Sequence, residues 1–313
     1  MQILFPSFGQ EVVEVLNLNG IRYRIDGNAV LLPEHNLRMV LVPLEEAATL
    51  SQATAPTSSI KASPGPDEET FFLYEDRWRS TRTVTSQRML SRLGLFRRIH
   101  ARLCKVVSLQ NCKDFGLSPE AFHAKVQKFL DAFHTYGYLR GQTDYLLMYK
   151  EDTVAAAQFR NTYYKTGMSV GQVPAANEQT IPDSQTAGMH PQQLCASEWT
   201  RYASLPDVRI AGGMGKVLKH FLKDAGKINV IEVMSYSDNE WSNGDAYLKL
   251  GFKYSGCTEP ITYHIDPKTC KRINPRQWAD MQKRLAGQEI QNFMTIRNCG
   301  SKKWVLCIGD MTA

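Results

Sequence analysis

A cluster of glycines gives this sequence its clearest capacity for chemistry. Gly212, Gly213 and Gly215 lie within "RIAGGMGKVLKHF", and Lys216 follows at the start of a run with helical periodicity. The first turn of a helix presents unpaired N–H groups and a positive dipole end, and glycine lets a pyrophosphate come close. The spacing matches neither the P-loop nor the dinucleotide motif. By itself the segment predicts a tight turn as readily as a phosphate site.

A basic block suggests a second kind of chemistry, contact with a polyanion. Between Arg77 and Lys113 there are ten Arg or Lys and no Asp or Glu, whereas residues 1–70 carry four basic and nine acidic side chains. Arginine suits bidentate contacts to phosphate, so the block predicts nucleic-acid contact, with plain solvation of a helix as the alternative. The predicted contact residues are Arg77, Arg79, Arg82, Arg88, Arg92, Arg97, Arg98 and Arg102.

Two residues of "SYSDNEWSNGDAYLKLGF" have both a chemical and a structural interpretation. Asp238 could orient or deprotonate an acceptor amine, or cap the short helix that follows. Trp241 could stack on a nucleobase, or pack against the next element. We include Trp241 among the predicted nucleic-acid contacts.

Composition limits the class of protein. The chain of 313 residues is 43% hydrophobic, which predicts a globular protein of two or three domains. No apolar run approaches about 18 residues, and the N-terminus shows no basic leader, so we expect a cytoplasmic protein without a membrane partner. The seven cysteines form no CxxC pair and lie near no histidine at zinc spacing. We therefore expect reduced thiols and no metal.

The elements that position these residues indicate an α+β chain. We predict a small module at 1–50 whose residues alternate as strands of a sheet, a linker rich in Ser, Thr and Pro at 51–70, a basic helix, strand and helix region at 71–143, and a final domain at 144–313. Within them, 97–109 alternates as a strand, and Ser118 with Pro119 begins a helix. A hairpin is expected to turn at Glu151 and Asp152. Residues 161–196 form a long irregular insertion.

The order of these elements resembles the GNAT superfamily of N-acyltransferases. Arg209 and Gly212 match the first half of its loop pattern [QR]xxGx[GA], and "YLKLGF" matches its later Tyr-x-Lys-x-Gly-Phe element, although Met214 stands where Gly or Ala is expected. The resemblance implies a mixed sheet flanked by helices and an acyl-CoA donor such as acetyl-CoA. Its pyrophosphate would be held by the glycine loop and Lys216. It also implies that Tyr247 is the general acid that protonates the departing thiolate.

A closer resemblance spans roughly residues 71–313. "LYEDRW", "SRLG", "IHARLCKVV", "GGMGKVLKHF", "SYSDNEWSNGDAYLKLGF" and "IRNCGSKKWVL" occur in the order seen in phage proteins that join a Vsr-like nuclease domain to a GNAT-like domain. The core is also similar to Mom-type DNA-modification acyltransferases, whose Ser-x-x-Asp, Gly and Tyr would be Ser235, Asp238, Gly244 and Tyr247. This implies transfer of an acyl group to a nucleobase amine in DNA, flipped out of the duplex.

The N-terminal module resembles a degenerate Vsr-like nuclease. Asp26, Pro33 and Asn36 are kept, but Val40 or Leu41 stands where an acidic metal ligand is expected. Mg²⁺ needs clustered oxygen ligands, so we expect a vestigial nuclease fold. Two alternatives to the acyltransferase remain, namely a DNA-binding protein of a phage or mobile element without catalysis, and a Vsr-like endonuclease.

Overall fold

The computed structural model describes residues 7–44, 69–163, 195–225, 230–284, 290 and 292–308. Its chain divides into two compact units. The first comprises Met1–Gly94, Ser237–Asn243 and Cys257–Lys302, and the second comprises Leu95–Tyr236, Gly244–Gly256 and Lys303–Ala313. These limits differ from the boundaries expected at 50, 70 and 143. Nearly all of the expected linker, and all but the ends of the 161–196 insertion, lie outside the described residues.

The first unit contains a four-stranded sheet in the order β1-β2-β3-β4. Strands β1 to β3 are antiparallel neighbours, and β4 joins β3 in parallel, so residues on both sides of the expected linker share one sheet. All six residues of β3 are buried, as its run of apolar residues indicates. The strands are β1 Arg24–Asp26, β2 Ala29–Leu32, β3 Leu37–Val42 and β4 Glu69–Tyr74.

Helices and a smaller sheet complete the first unit. Helix α1 (Ser7–Leu18) buries Phe8, Val12 and Leu16, which recur every four residues and so occupy one helical face. The antiparallel sheet β14-β13-β15 follows later in the chain. The further elements are α2 Glu75–Ser80, α3 Arg82–Arg92, β13 Thr262–Ile265, β14 Arg272–Ile273, α7 Pro275–Gln282 and β15 Met294–Arg297.

A seven-stranded mixed sheet forms the centre of the second unit. Its order is β12-β16-β11-β9-β8-β7-β6, in which β6 to β9 pair antiparallel and β11 pairs parallel to β9. A separate two-stranded parallel sheet joins β5 to β10. The strands are β5 Arg97–His100, β6 Cys104–Ser108, β7 Thr143–Tyr149, β8 Asp152–Tyr163, β9 Cys195–Ser204, β10 Val208–Ala211, β11 Val230–Asp238, β12 Lys253–Cys257 and β16 Ser301–Cys307.

Helices α4 (Pro119–Phe133), α5 (Gly213–Ala225) and α6 (Asp245–Leu248) accompany this sheet. Helix α4 begins as expected, because the Ser118 side chain accepts a hydrogen bond from the Ala121 N–H at 3.2 Å and Pro119 occupies the first helical position. The hairpin of β7 and β8 forms as predicted, but it pairs Tyr149 with Asp152, so its turn lies at Lys150 and Glu151, one residue before the expected position.

Two expectations about elements are corrected. Residues 97–109 form two strands with a 3₁₀ turn over Ala101–Leu103 between them, because the chain leaves the β5/β10 sheet and enters the seven-stranded one. Helix α1 was not expected, since residues 1–50 were interpreted as strands. The mixed sheet flanked by helices is confirmed. A Vsr-like first unit stays a prediction.

Candidate active site

The glycine loop opens helix α5 with three unbonded N–H groups. Gly212 has a φ of 78°, in the left-handed region that glycine adopts without strain. The first bond of the helix runs from the Lys216 N–H to the Gly212 carbonyl at 2.9 Å. The N–H groups of residues 213–215 therefore have no helical acceptor, and no other acceptor among the described residues takes them. This end of the helix can accept an anion.

Close packing explains two of the glycines. A Cβ at Gly213 would lie 2.7 Å from the Tyr202 hydroxyl, and one at Gly215 would lie 3.2 Å from the Leu250 side chain. Met214 stands where the resemblance expects a small residue, and its half-buried side chain packs against the apolar core of the second unit. The first turn of α5 is thus fixed against β9 on one side and against the residues after α6 on another.

Two side chains that were predicted to bind the acyl-CoA pyrophosphate make other contacts in the structure. The Lys216 ammonium donates to the carbonyls of Ala101, at 2.9 Å, and Cys104, so it holds the turn between β5 and β6 rather than a phosphate. Arg209 is exposed on β10, with its guanidinium 5.2 Å from the Phe96 ring centre. The expected role of Lys216 in phosphate binding is corrected, and the loop depends on its backbone N–H groups.

The pairing between strands β9 and β11 ends beside the N-terminus of α5. Their parallel pairing runs from Cys195 and Val230 to Glu198 and Met234, and both strands continue beyond it. On its other edge β9 carries a bulge, with one extra residue between the partners of Phe159 and Gln158. A bulge bends its strand and is common next to active sites. Tyr202, on the freed part of β9, is the residue that approaches Gly213.

Ser235 and Tyr247 lie at the same opening. The Ser235 hydroxyl donates to the Trp199 carbonyl of β9 at 2.9 Å, since a carbonyl can only accept. Its oxygen therefore accepts from the Tyr247 hydroxyl at 2.8 Å. The predicted pair is brought together, and the side chain of Ser235 occupies the place where backbone pairing between the strands has ended. No sequence signal marks the Trp199 carbonyl as part of this group.

The environment of Tyr247 keeps it protonated at neutral pH. Burial raises the pKa of its phenol, and Ser235 acts in the opposite direction because its hydroxyl can turn from the Trp199 carbonyl and donate to the phenolate. Its ring stacks on Trp304 with centroids 6.1 Å apart and meets Phe252 edge to face. Gly244 allows this packing, because a Cβ there would lie 2.2 Å from the Trp304 indole. Tyr247 can thus donate a proton and has a fixed position.

Asp238 and Trp241 belong to the first unit and have structural roles there. The Asp238 carboxylate accepts from the Glu240 N–H at 2.9 Å and so closes a turn, whereas the short helix α6 that it was expected to cap begins after Gly244. Trp241 is 9% exposed and its ring stacks on Phe71 at 5.6 Å. Its expected stacking on a nucleobase is corrected, because its ring is already covered by this packing.

The arginines of the first unit are largely neutralised by acidic residues. Arg79 and Arg82 pair with Glu11 at 2.5 and 2.9 Å, and Arg92 pairs with Glu69 at 2.6 Å. Arg77 is buried, which corrects its predicted contact with nucleic acid. The glutamate partners come from segments outside the basic block. The neutralisation of these arginines therefore could not be predicted from the block alone.

Arg88 is the last of the predicted nucleic-acid contacts in the first unit. The other predicted arginines lie in the second unit. The Arg88 guanidinium lies 4.9 Å from the Trp241 ring centre. Arg97, Arg98 and Arg102 are exposed in the second unit. These three remain available for the predicted nucleic-acid contact.

A buried ion cluster of the first unit had not been predicted. Arg272 binds Asp76 through two nitrogens, at 2.7 and 3.2 Å, and Glu240 through a third at 2.6 Å. All three side chains are at most 2% exposed, and Arg272 lies between the rings of Tyr74 and Tyr263. The cluster joins three segments of the chain into one unit.

The described residues contain no group of three or more His, Cys, Asp or Glu that could hold a metal ion. None of their helices is long and apolar enough to cross a membrane.

Solved structures with similarity to this chain include acetyltransferases. A GNAT family acetyltransferase from Elizabethkingia anophelis with acetyl-CoA bound is 13% identical, with 66% of this chain and 99% of that chain covered and a TM-score of 0.34. Arabidopsis thaliana Naa50 in complex with the bisubstrate analogue CoA-Ac-MVNAL is 15% identical, with 66% and 99% covered and a TM-score of 0.32. The ribosomal-protein-S18-alanine N-acetyltransferase from Escherichia coli is 15% identical, with 66% and 94% covered and a TM-score of 0.32. At these scores the similarity carries no argument about activity.

No protein-family model matches the sequence. No curated protein matches it either.

Proposed function

We propose that the second unit is an acyl-CoA-dependent N-acyltransferase whose acceptor is a nucleobase amine in DNA. One observation carries the proposal: β9 and β11 part next to a helix end with three unbonded N–H groups, and a protonated tyrosine borders the same opening. A thioester donor with a pyrophosphate needs both features, an anion site and a proton source.

The residues fit an acyl-CoA without a charged side chain in the loop. The N–H groups of residues 213–215 supply donors, and Gly212 adopts the left-handed conformation directly before them. Beyond the Trp199 carbonyl, which Ser235 occupies, β9 no longer pairs with β11, and this edge is where a polar arm of the donor would lie. When bound, the donor supplies an activated acyl carbonyl.

Acyl transfer to an amine forms a C–N bond and breaks a C–S bond. The amine loses one proton and the departing thiolate gains one. Tyr247 provides the latter, and the proton that the amine releases to solvent balances the one that the resulting phenolate takes up again. Ser235 with the Trp199 carbonyl holds the phenol in position. DNA as the acceptor rests on the exposed arginines of the second unit and on the resemblance to Mom-type enzymes.

The test combines donor binding with product analysis. Wild-type protein should gain thermal stability with acetyl-CoA, by an amount that rises with its concentration. Nucleosides from cells that express the wild type should contain an acylated base by mass spectrometry. Tyr247→Phe should keep the response to acetyl-CoA and lose the product. Donor binding without any modified base in the wild type would refute the DNA acceptor. Absence of donor binding, with binding of DNA, would support the non-catalytic alternative.

A further inference from the structure

The outer face of the β5/β10 sheet carries a pair of adjacent arginines. The two strands run parallel, and Arg98 lies directly opposite Arg209. Ile99 and Ile210, the next pair along the strands, pack against the core of the second unit. Because side chains alternate between faces, Arg98 and Arg209 share the opposite, solvent face. Both arginines are exposed.

Phe96 lies beneath both guanidinium groups on this face. Its ring centre is 6.0 Å from the Arg98 guanidinium and 5.2 Å from that of Arg209. Like charges directly opposite each other on a sheet are destabilising, and the aromatic ring offsets only part of this repulsion. The arrangement is the one expected for a surface that meets an anion.

The charge of this face is not balanced within the described part of the chain. Arg79, Arg82 and Arg92 of the first unit have glutamate partners, but no ion pair joins Arg98 or Arg209 to an acidic side chain among the residues that the structure describes. Further exposed arginines lie along the same segment at Arg97 and Arg102. The basic block is therefore split into a neutralised part and an unneutralised part.

We propose that this face, built on Arg98, Arg209 and Phe96, together with the nearby exposed Arg102, binds the phosphate backbone of a nucleic acid. One phosphate is satisfied by a single bidentate arginine, so three exposed arginines on these neighbouring segments fit a chain of phosphates better than one small molecule. The proposal rests on the proposed function only in the class of acceptor. It also moves Arg209 from the donor loop, where the sequence resemblance places it, to the acceptor surface.

The test measures binding of a labelled duplex of about 20 base pairs by fluorescence anisotropy at several salt concentrations, since each lost phosphate contact lowers the salt slope by about one. Arg98→Gln should weaken binding about tenfold and lower the slope by about one, and Arg98→Gln with Arg209→Gln should lower it by about two. Arg82→Gln is the matched control, because it removes the same charge from the neutralised part. It should change affinity less than twofold. Equal losses of DNA affinity in Arg82→Gln and Arg98→Gln would overturn the proposal.

Two further readouts separate this surface from a structural role and from the donor site. Without DNA, Arg98→Gln should have a melting temperature equal to or above that of the wild type, because it removes a repulsion. A lower melting temperature together with weaker DNA binding would indicate a structural role and overturn the proposal. Arg98→Gln should also keep the wild-type thermal response to acetyl-CoA. Loss of that response with unchanged DNA binding would assign the pair to a cofactor phosphate instead.

Different results would refute this proposal and the proposed acyltransferase activity. DNA binding that depends on Arg98, in a protein that does not respond to acetyl-CoA, would support the surface and refute the donor site. A response to acetyl-CoA with DNA binding unaffected by either variant would do the reverse.

Discussion

Removal of Arg272 should destabilise the first unit strongly, and more at high pH than at low pH. Arg272→Met keeps much of the side-chain volume between Tyr74 and Tyr263 but deprives Asp76 and Glu240 of their counter-charge. Breaking a buried pair by removing one partner typically costs about 3–5 kcal/mol, because the other charge stays buried. Here two carboxylates lose their partner, so we expect the upper part of this range at pH 7.

The pH dependence follows from the carboxylates that remain. Burial raises the pKa of Glu240, and Arg272 acts against this shift. In Arg272→Met only Arg77 still opposes the effect of burial, so the pKa of Glu240 rises further and the carboxyl avoids its buried charge by taking a proton. With an ordinary Glu pKa of about 4.3, that proton costs about 3.7 kcal/mol at pH 7 and about 1 kcal/mol at pH 5. A group whose pKa is raised on folding stabilises at low pH and loses this contribution as the pH rises. Because the pKa of Glu240 is already raised in the wild type, the loss relative to wild type should shrink by at most about 2.7 kcal/mol from pH 7 to pH 5.

Urea unfolding at both pH values measures the lost free energy of unfolding. Hydrogen exchange of peptides from residues 69–80 and 261–274 assigns this loss to the first unit. Lys283→Met is the matched control, since Lys283 forms an exposed pair with Asp280 in the same unit. Its effect should stay within about 0.5 kcal/mol. A loss below about 1 kcal/mol at pH 7 for Arg272→Met, or one equal at both pH values, would contradict the reasoning.

Three further changes test the second unit. Gly244→Ala places a Cβ 2.2 Å from the Trp304 indole at a φ of 88°, and should cost about 2–5 kcal/mol in urea unfolding. Gly213→Ala meets the Tyr202 hydroxyl at 2.7 Å, and should cost about 1–3 kcal/mol and weaken acetyl-CoA binding in calorimetry. Ser235→Ala removes the hydrogen bond that lowers the pKa of Tyr247, so the loss of kcat at alkaline pH should move to higher pH, with KM for the donor unchanged. Wild-type unfolding midpoints in the glycine variants, or an unmoved pH profile in Ser235→Ala, would contradict these expectations.

Local signals in the sequence predicted the elements that depend on neighbouring residues. Ser118 and Pro119 begin α4 because a cap and a fixed φ act within one turn. The glycines before α5 likewise predicted a strand, turn and helix. Helix α1 was missed although Phe8, Val12 and Leu16 recur every four residues, because the alternation in the strands that follow it was extended back to the N-terminus.

Features made by distant segments could not be predicted in this way. Arg79 finds Glu11 68 positions away, and Arg272 finds Asp76 196 positions away. Whether an arginine forms an ion pair or stays unpaired depends on such distant acidic residues. In the same way, the hydrogen bond of Lys216 to the Cys104 carbonyl joins residues far apart in the sequence. The opening between β9 and β11 depends on where two strands stop pairing, which is a property of the sheet and not of either strand.

The most direct test of the account is whether the first turn of α5 binds the phosphates of an acyl-CoA. In ¹⁵N-labelled protein, acetyl-CoA should shift the amide resonances of Gly213, Met214 and Gly215 more than those of other residues of the helix, since these N–H groups have no acceptor in the described structure. S-acetyl-pantetheine, which has the thioester without the phosphates, should leave the three resonances nearly unchanged. No shift with acetyl-CoA, or equal shifts with both compounds, would contradict the donor site.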